Sequence, residues 1–116
     1  MSQALAHFAV GFGGFLLVVL VCGYENEWWV MSGAVLSGFW ALVPDFHHIL
    51  RIVHPGVESW YYVWIHETIV ADLFWFHRVM DTVDPTNSNG ALFVALVFLL
   101  ICVGLFEWVR FQSEGY

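Results

Sequence analysis

Lysine is absent from this 116-residue chain, and three arginines stand against ten acidic residues, giving a formal net charge of −7. A chain with so little positive charge has no electrostatic footprint for a phosphate backbone, which excludes nucleic-acid binding. Charged residues make up only 11% of the chain, whereas hydrophobic residues make up 60%. Because an ordinary soluble domain is roughly a quarter charged, this balance predicts an integral membrane protein with one domain, residues 1–116.

Cysteine is scarce as well, because Cys22 and Cys102 are the only two. They form no disulfide framework, and we interpret both as small apolar residues of the helix packing. The N-terminus has no basic residue before its apolar run, so we expect the first hydrophobic segment to be retained rather than cleaved as a signal peptide. The acidic, lysine-free composition is typical of proteins from a salt-rich cytoplasm and indicates a halophilic, archaeal-like source.

Four apolar segments have lengths that suit a bilayer crossing of about 20 residues. They are residues 4–22, 28–43, 59–80 and 91–110. The sequence therefore predicts an all-α integral membrane protein folded as a four-transmembrane-helix bundle, with a turn over residues 84–90. Four spans put both termini on one side, and the positions of Arg51 and Arg110 favour the cytoplasmic side of the cell (inner or plasma) membrane.

The most informative motif is Pro44-Asp45-Phe46-His47-His48, which ends the second apolar segment. Charged and imidazole groups are costly at the edge of a hydrocarbon layer, so a cluster of them there indicates a functional site. Asp45 and His48 are three residues apart on one helical face, a spacing that suits two ligands of one metal ion. In the four-span layout, His7 and His66 come to a similar depth at the cytoplasmic leaflet.

We therefore predict one divalent metal ion, zinc or manganese, bound by four side chains at this leaflet. The predicted ligands are His7, Asp45, His48 and His66. Gly11 and Gly14 share a helical face with His7, so a neighbouring helix can come close to that imidazole.

The third apolar segment carries a further set of polar residues. His77 follows His66 by eleven residues, which is about 16 Å along a straight helix. The two histidines cannot bind one ion in this layout. We therefore expect His77, Arg78 and Asp81 to form a separate group near the outer face.

The order of these residues resembles that of a family of small prokaryotic membrane-bound metal-dependent hydrolases. That family typically has a His with Gly four residues on, then Pro-Asp-x-Asp-His at the end of an apolar span, then a His early in the next helix. His7 and Gly11 match the first element, and His66 matches the third. The segment Pro44–His48 matches the second, except that His47 replaces the second Asp. The resemblance covers roughly the first 70 residues and implies a metal site and a hydrolytic activity.

Two main functions follow from the predicted site. In the first, the chain is a metal-dependent hydrolase that acts at the cytoplasmic leaflet on a lipid or lipid-linked substrate, with Glu67 as general base. Arg51 is the only basic residue near that site, so the metal ion would have to hold the phosphate of a phosphoester. In the second, the chain is a non-catalytic membrane subunit of a homo-oligomer or larger complex, and its His and Asp groups are structural. A third hypothesis, a haem held between His7 and His66, leaves the Asp45–His48 pair without a role.

Overall fold

The computed structural model describes residues 2–83 and 89–115, which contain helices and no strand. The all-α prediction is therefore confirmed for this part of the chain. Its α-helices are Ser2–Cys22 (α1), Val30–Trp40 (α2), His47–Val53 (α3), Pro55–Tyr61 (α4), His77–Val83 (α5) and Asn89–Ser113 (α6). Between them lie two 3-10 helices, Val43–Phe46 and Ile69–Leu73, and a π-helical turn, Tyr62–His66. The predicted turn at 84–90 falls mostly outside the described residues.

Two of the described helices are long and apolar enough to cross a membrane. They are Gln3–Cys22 within α1 and Asn89–Ser113, and they match the first and last predicted spans. The predicted span 28–43 contains a helix of only 11 residues, about 16 Å long against a hydrocarbon core of about 30 Å. The predicted span 59–80 is divided among α4, the π-helical turn, the second 3-10 helix and α5. A bundle of four transmembrane helices is therefore not supported.

The interruption of the third predicted span has a local cause. Trp75 and Phe76 both have a φ of 57°, a left-handed conformation that costs a residue with a Cβ roughly 1–2 kcal/mol. Two left-handed residues in succession break the helical path, so α5 starts anew at His77. The new helix is stabilised by Asp72, whose Oδ1 accepts a hydrogen bond from the Val79 N–H at 3.0 Å.

α1 and α6 run parallel, because residues that pack or bond together advance along both helices in the same order. Ala9 belongs to one cluster with Ala95, Gly13 lies against Cys102, Leu16 belongs to one cluster with Phe106, and Asn26, which follows α1, bonds to Ser113. Both helices therefore begin at the same end of the molecule, and the two ends of the described chain lie far apart. This arrangement does not support the predicted placement of both termini on one side of a membrane.

α2 packs closely against α1 through small residues. A Cβ added to Gly11 would lie only 2.6 Å from the Ser37 carbonyl oxygen, and Ser37 Oγ donates a hydrogen bond to the Gly11 carbonyl at 2.9 Å. On the same face of α1, a Cβ on Gly14 would lie 2.5 Å from the Trp75 ring. The prediction that these glycines admit close neighbours is confirmed. Of the two free cysteines, Cys102 is buried as expected, but Cys22 is exposed at the end of α1.

Replacement of Gly11 by alanine is expected to push α2 away from α1, because the new methyl group meets backbone and not a flexible side chain. We expect a loss of about 1–3 kcal/mol in the free energy of unfolding, the usual cost of overpacking. Gly104→Ala is the matched control, since nothing lies within 4 Å of a Cβ at that position of α6. Thermal unfolding of the purified variants in detergent measures the difference. Equal melting temperatures for both variants would contradict the close packing at Gly11.

Candidate metal centre

Four elements bring polar side chains together near the start of α1. His7 comes from α1, Asp45 from the first 3-10 helix, His66 from the π-helical turn, and His77 and Asp81 from α5. His7 and His77 are 1% and 0% exposed. Buried polar groups of this kind need partners, because transfer out of water without a hydrogen bond is costly.

Four of these side chains form a closed ring of short contacts, which we call the His–Asp ring: Asp45, His66, Asp81 and His77. The Nε2 atom of His66 lies 3.1 Å from Asp81 Oδ2 and 3.6 Å from Asp45 Oδ1. The Nε2 atom of His77 lies 3.4 Å and 3.3 Å from the same two oxygens. The Nε2 atom of each histidine thus faces both carboxylates, and nitrogen and oxygen atoms alternate around the ring.

His77 is oriented by the backbone of the segment after α2. Its Nδ1 donates a hydrogen bond to the Ala41 carbonyl at 3.0 Å, so its Nε2 points into the ring and offers a lone pair to a cation when the imidazole is neutral. That Nε2 is buried without a hydrogen-bond partner among the described residues. A histidine that donates one ring nitrogen to a carbonyl and presents the other is the usual arrangement of a metal ligand.

The ring has a definite charge balance. Burial raises the pKa of the Asp45 and Asp81 carboxyls, but the histidines beside them outweigh this effect and hold both pKa values below the ordinary range. Burial lowers the pKa of His66, but Asp45, Asp81 and Glu67 together raise it to about 10. Two negative charges are thus balanced in part by a proton on His66. A divalent cation would supply the same balance without that proton.

His66 is held from its other side by Glu67, whose Oε1 lies 3.0 Å from His66 Nδ1. The Tyr62 hydroxyl and the His66 ring lower the pKa of the Glu67 carboxyl, which keeps it ionised. A carboxylate behind a ligating imidazole fixes the orientation of that imidazole and raises its basicity. His66 and His77 therefore each have a hydrogen-bond acceptor, Glu67 or the Ala41 carbonyl, on the nitrogen that faces away from the ring.

His7 adjoins the ring. Its Nε2 lies 2.8 Å from Asp81 Oδ1, and its imidazole stacks on His77 with 3.8 Å between the ring centroids. His7, Asp45 and His77 also offer ligand atoms within 4.8 Å of one another, so His7 can orient Asp81 or bind a cation itself. Because Asp81 contacts both His7 and His66, no gap for a porphyrin remains between those histidines. This geometry opposes the haem hypothesis.

The predicted ligand His48 lies outside the ring. Asp45 belongs to a 3-10 helix and His48 to the α-helix that follows, and the Asp45 carboxylate contacts His66 and His77 instead of His48. His48 is exposed, whereas His47 is 4% exposed and its Nδ1 contacts the Pro44 carbonyl at 3.2 Å. Asp45, His47 and His66 form another set with ligand atoms within 4.8 Å. The inward position therefore belongs to His47.

His77 and Asp81 are the ring members that sequence reasoning missed. The expectation that they form a separate group, far from His66, is wrong, because Asp81 Oδ2 contacts the Nε2 atoms of both histidines. The expectation assumed a straight helix over 59–80, which the left-handed residues before His77 interrupt. The available signal was the i, i+4 spacing of His77 and Asp81, which places both on one helical face.

Two cavities border the His–Asp ring on different sides. One of about 560 Å³ touches Asp45 and is lined largely by apolar side chains, among them Leu42, Phe46 and Ile49. The other, of about 250 Å³, is polar. Its lining residues are His66, Glu67, Arg78, Asp81 and Thr82. A ligand can therefore approach the ring from an apolar side or from a polar side.

No protein-family model, curated protein or solved structure matches this chain. Interpretation of the site therefore depends on its own geometry. The described residues contain His and Asp groups that could hold a metal ion.

Trp75 fixes the turn that presents His77. Its indole N–H donates to Ser37 Oγ at 2.7 Å, and its ring covers Gly14. We expect Trp75→Phe to keep the aromatic contact with Gly14 but to lose the hydrogen bond to Ser37. The expected cost is about 1 kcal/mol in the free energy of unfolding. Trp28→Phe is the control, because Trp28 is 88% exposed. Chemical unfolding in detergent measures both, and an equal effect in the two variants would contradict this role of Trp75.

Proposed function

We propose that the chain is a membrane-embedded protein that binds one divalent cation in the His–Asp ring and uses it for hydrolysis. The observation that carries the proposal is the spacing of the four ring atoms, 3.1–3.6 Å between neighbours. Ligands at about 2.0–2.1 Å from a tetrahedral zinc ion lie about 3.3–3.4 Å apart. The four nitrogen–oxygen distances of the ring are therefore compatible with a small divalent ion, and three of its members, His66, His77 and Asp81, offer ligand atoms within 4.8 Å of one another. Imidazole and carboxylate ligands suit zinc or manganese.

The membrane part of the proposal is supported by the surface of α6. Its apolar side chains Phe93, Leu100 and Trp108 are 68%, 71% and 64% exposed, so α6 is not the buried core helix of a soluble domain. Soluble monomers rarely expose apolar surface of this extent. The exposed apolar side chains of α6 are therefore more favourable in lipid than in water. We propose that the chain lies in the inner or plasma membrane.

The hydrolytic part is supported by the polar cavity beside the ring. A divalent cation with coordination positions beyond the four ring atoms, such as six-coordinate manganese or zinc expanded to five ligands, would supply a bound water of lowered pKa and polarise the bond to be cleaved. Glu67 lines that cavity and is ionised, so it can accept a proton as the general base. The resemblance to membrane-bound metal-dependent hydrolases adds support, because its matched residues Asp45 and His66 are ring members and His7 contacts the ring.

A structural role for the cation is the second candidate, and one observation favours it. The ring joins α1, α5 and the segments between them through groups as deeply buried as His7 and His77. A cation there would also hold these elements together, as structural zinc does. This candidate corresponds to the non-catalytic membrane subunit.

Metal content tests the ring directly. Detergent-purified wild-type protein is expected to contain about one zinc or manganese ion per chain, and His77→Ala and Asp81→Ala are expected to lose it, because each removes a ligand with a well-positioned lone pair. His48→Ala is the matched control, since this exposed histidine lies outside the ring. Elemental analysis of the four proteins checks the expectation.

Two results would overturn this assignment. Absence of metal from the wild type under metal-replete growth would remove the metal proposal altogether. Loss of metal in His48→Ala with retention in His77→Ala would return the site to the ligands first predicted from the sequence. Helical content measured by circular dichroism after chelation separates the two roles, because a structural cation is needed for the fold and a catalytic one is not.

The parallel arrangement of α1 and α6 generates a topology prediction. If both helices cross the membrane, the two termini lie on opposite sides, because parallel helices start at the same face and the chain between them has to return across the bilayer. Fusion of a reporter of sidedness to either terminus is expected to give opposite signals. The same signal from both fusions would contradict the assignment of α1 and α6 as the spans.

A further inference from the structure

The three arginines of the chain differ in what neutralises them. Arg51 is paired with Glu58 at 3.1 Å, and Arg110 is paired with Glu114 at 3.3 Å. Among the described residues, no acidic side chain lies within salt-bridge distance of Arg78. Since lysine is absent, Arg78 is the one fixed positive charge of the described chain that is free to bind an anion.

Arg78 lines the polar cavity of about 250 Å³ next to two members of the His–Asp ring, His66 and Asp81. It directly follows His77, so the same short helix carries two ring ligands and this guanidinium. The expectation that Arg51 is the basic residue nearest the site is therefore wrong. The left-handed turn before α5 brings Arg78 to the site instead.

From this juxtaposition we propose that the polar cavity binds a phosphate group, held between the cation of the His–Asp ring and the guanidinium of Arg78. The inference rests on the proposed function, because it requires a cation in the ring. A guanidinium offers a planar pair of N–H donors that matches two phosphate oxygens. The cavity is small compared with pockets for whole drug-sized ligands, which start at about 300 Å³, so it suits a headgroup and not an acyl chain.

The charges around the cavity make this binding dependent on the cation. Asp45, Asp81 and Glu67 surround the site with negative charge, which repels an anion. A divalent ion offsets the two ring carboxylates, and Arg78 then offsets Glu67. The loaded site is therefore neutral overall, so the cation and the guanidinium can attract a phosphate group that the negative charge of the unloaded site repels.

A phosphate group can come from a lipid headgroup or from a soluble phosphoester. The apolar cavity of about 560 Å³ that touches Asp45 gives room for an apolar chain near the same ring. Comparison of inorganic phosphate with short-chain phosphatidate in detergent micelles distinguishes the two sources. Tighter binding of phosphatidate indicates a lipid headgroup, and equal binding indicates recognition of the phosphate alone.

The test uses protein loaded with one equivalent of Mn²⁺, whose unpaired electrons broaden the ³¹P resonance of a phosphate bound next to it. Wild-type protein is expected to broaden the signal in a saturable way, and Arg78→Gln to bind the same amount of Mn²⁺ but phosphate about 10- to 100-fold more weakly. Arg78→Lys keeps the charge but not the paired donors, so an intermediate affinity is expected. Arg51→Gln is the control, because its guanidinium is paired with Glu58.

The possible outcomes separate this inference from the function on which it rests. Equal phosphate affinity in wild type and Arg78→Gln, or no phosphate binding by Mn²⁺-loaded wild type, would overturn the role of Arg78 and leave the metal site intact. No Mn²⁺ binding by the wild type would overturn the proposed function and this inference with it. An equal loss of phosphate affinity in Arg51→Gln would show a general charge effect and would also overturn the specific role of Arg78.

Discussion

The attraction between two ionised carboxylates and the imidazoles around them is the interaction on which the arrangement of this chain depends. Asp45 and Asp81 reach the site from different elements and meet the same two nitrogens, those of His66 and His77. In a surrounding as apolar as this chain, such charges are strongly coupled because solvent screens them little.

Strained backbone conformations and close helix contacts help to hold the His–Asp ring together. Trp75 and Phe76 adopt left-handed conformations, and strain of this kind persists only where the surrounding structure determines it. Here the indole of Trp75 is fixed by Ser37, and Ser37 in turn bonds to the backbone at Gly11. The absence of a side chain at Gly11 thus lets α2 approach α1, and this approach places both Ser37 for Trp75 and the Ala41 carbonyl for His77.

The sequence predicted the features of this structure that depend on local composition. It did not predict those that depend on where the backbone leaves a helical path. Long apolar runs identified α1 and α6, and the cost of polar groups in an apolar chain pointed to Asp45 and His66, which the structure brings within 3.6 Å of each other. The same reasoning missed His77 and Asp81, because it measured the distance from His66 along an unbroken helix. No glycine or proline marks the left-handed turn at Trp75 and Phe76, so tertiary contacts, which a single sequence does not display, decide it. The structure also places His47, and not His48, against the His66 ring, and this choice depends on tertiary packing in the same way.

The position of the ring within the fold bears on how a substrate would reach it. α1 and α6 begin at the same end of the molecule, and His7 near that end of α1 contacts Asp81 in the ring. If these two helices span the bilayer, the ring lies toward one face of the membrane and not at its centre. The apolar cavity at Asp45 and the polar cavity at His66 and Asp81 border the ring on different sides. An amphiphile lying at the membrane surface presents the same division, with an apolar chain on one side of its reactive bond and a charged headgroup on the other. The division of the two cavities therefore supports the lipid headgroup as the source of the phosphate in the proposed site, and it does so independently of the family resemblance.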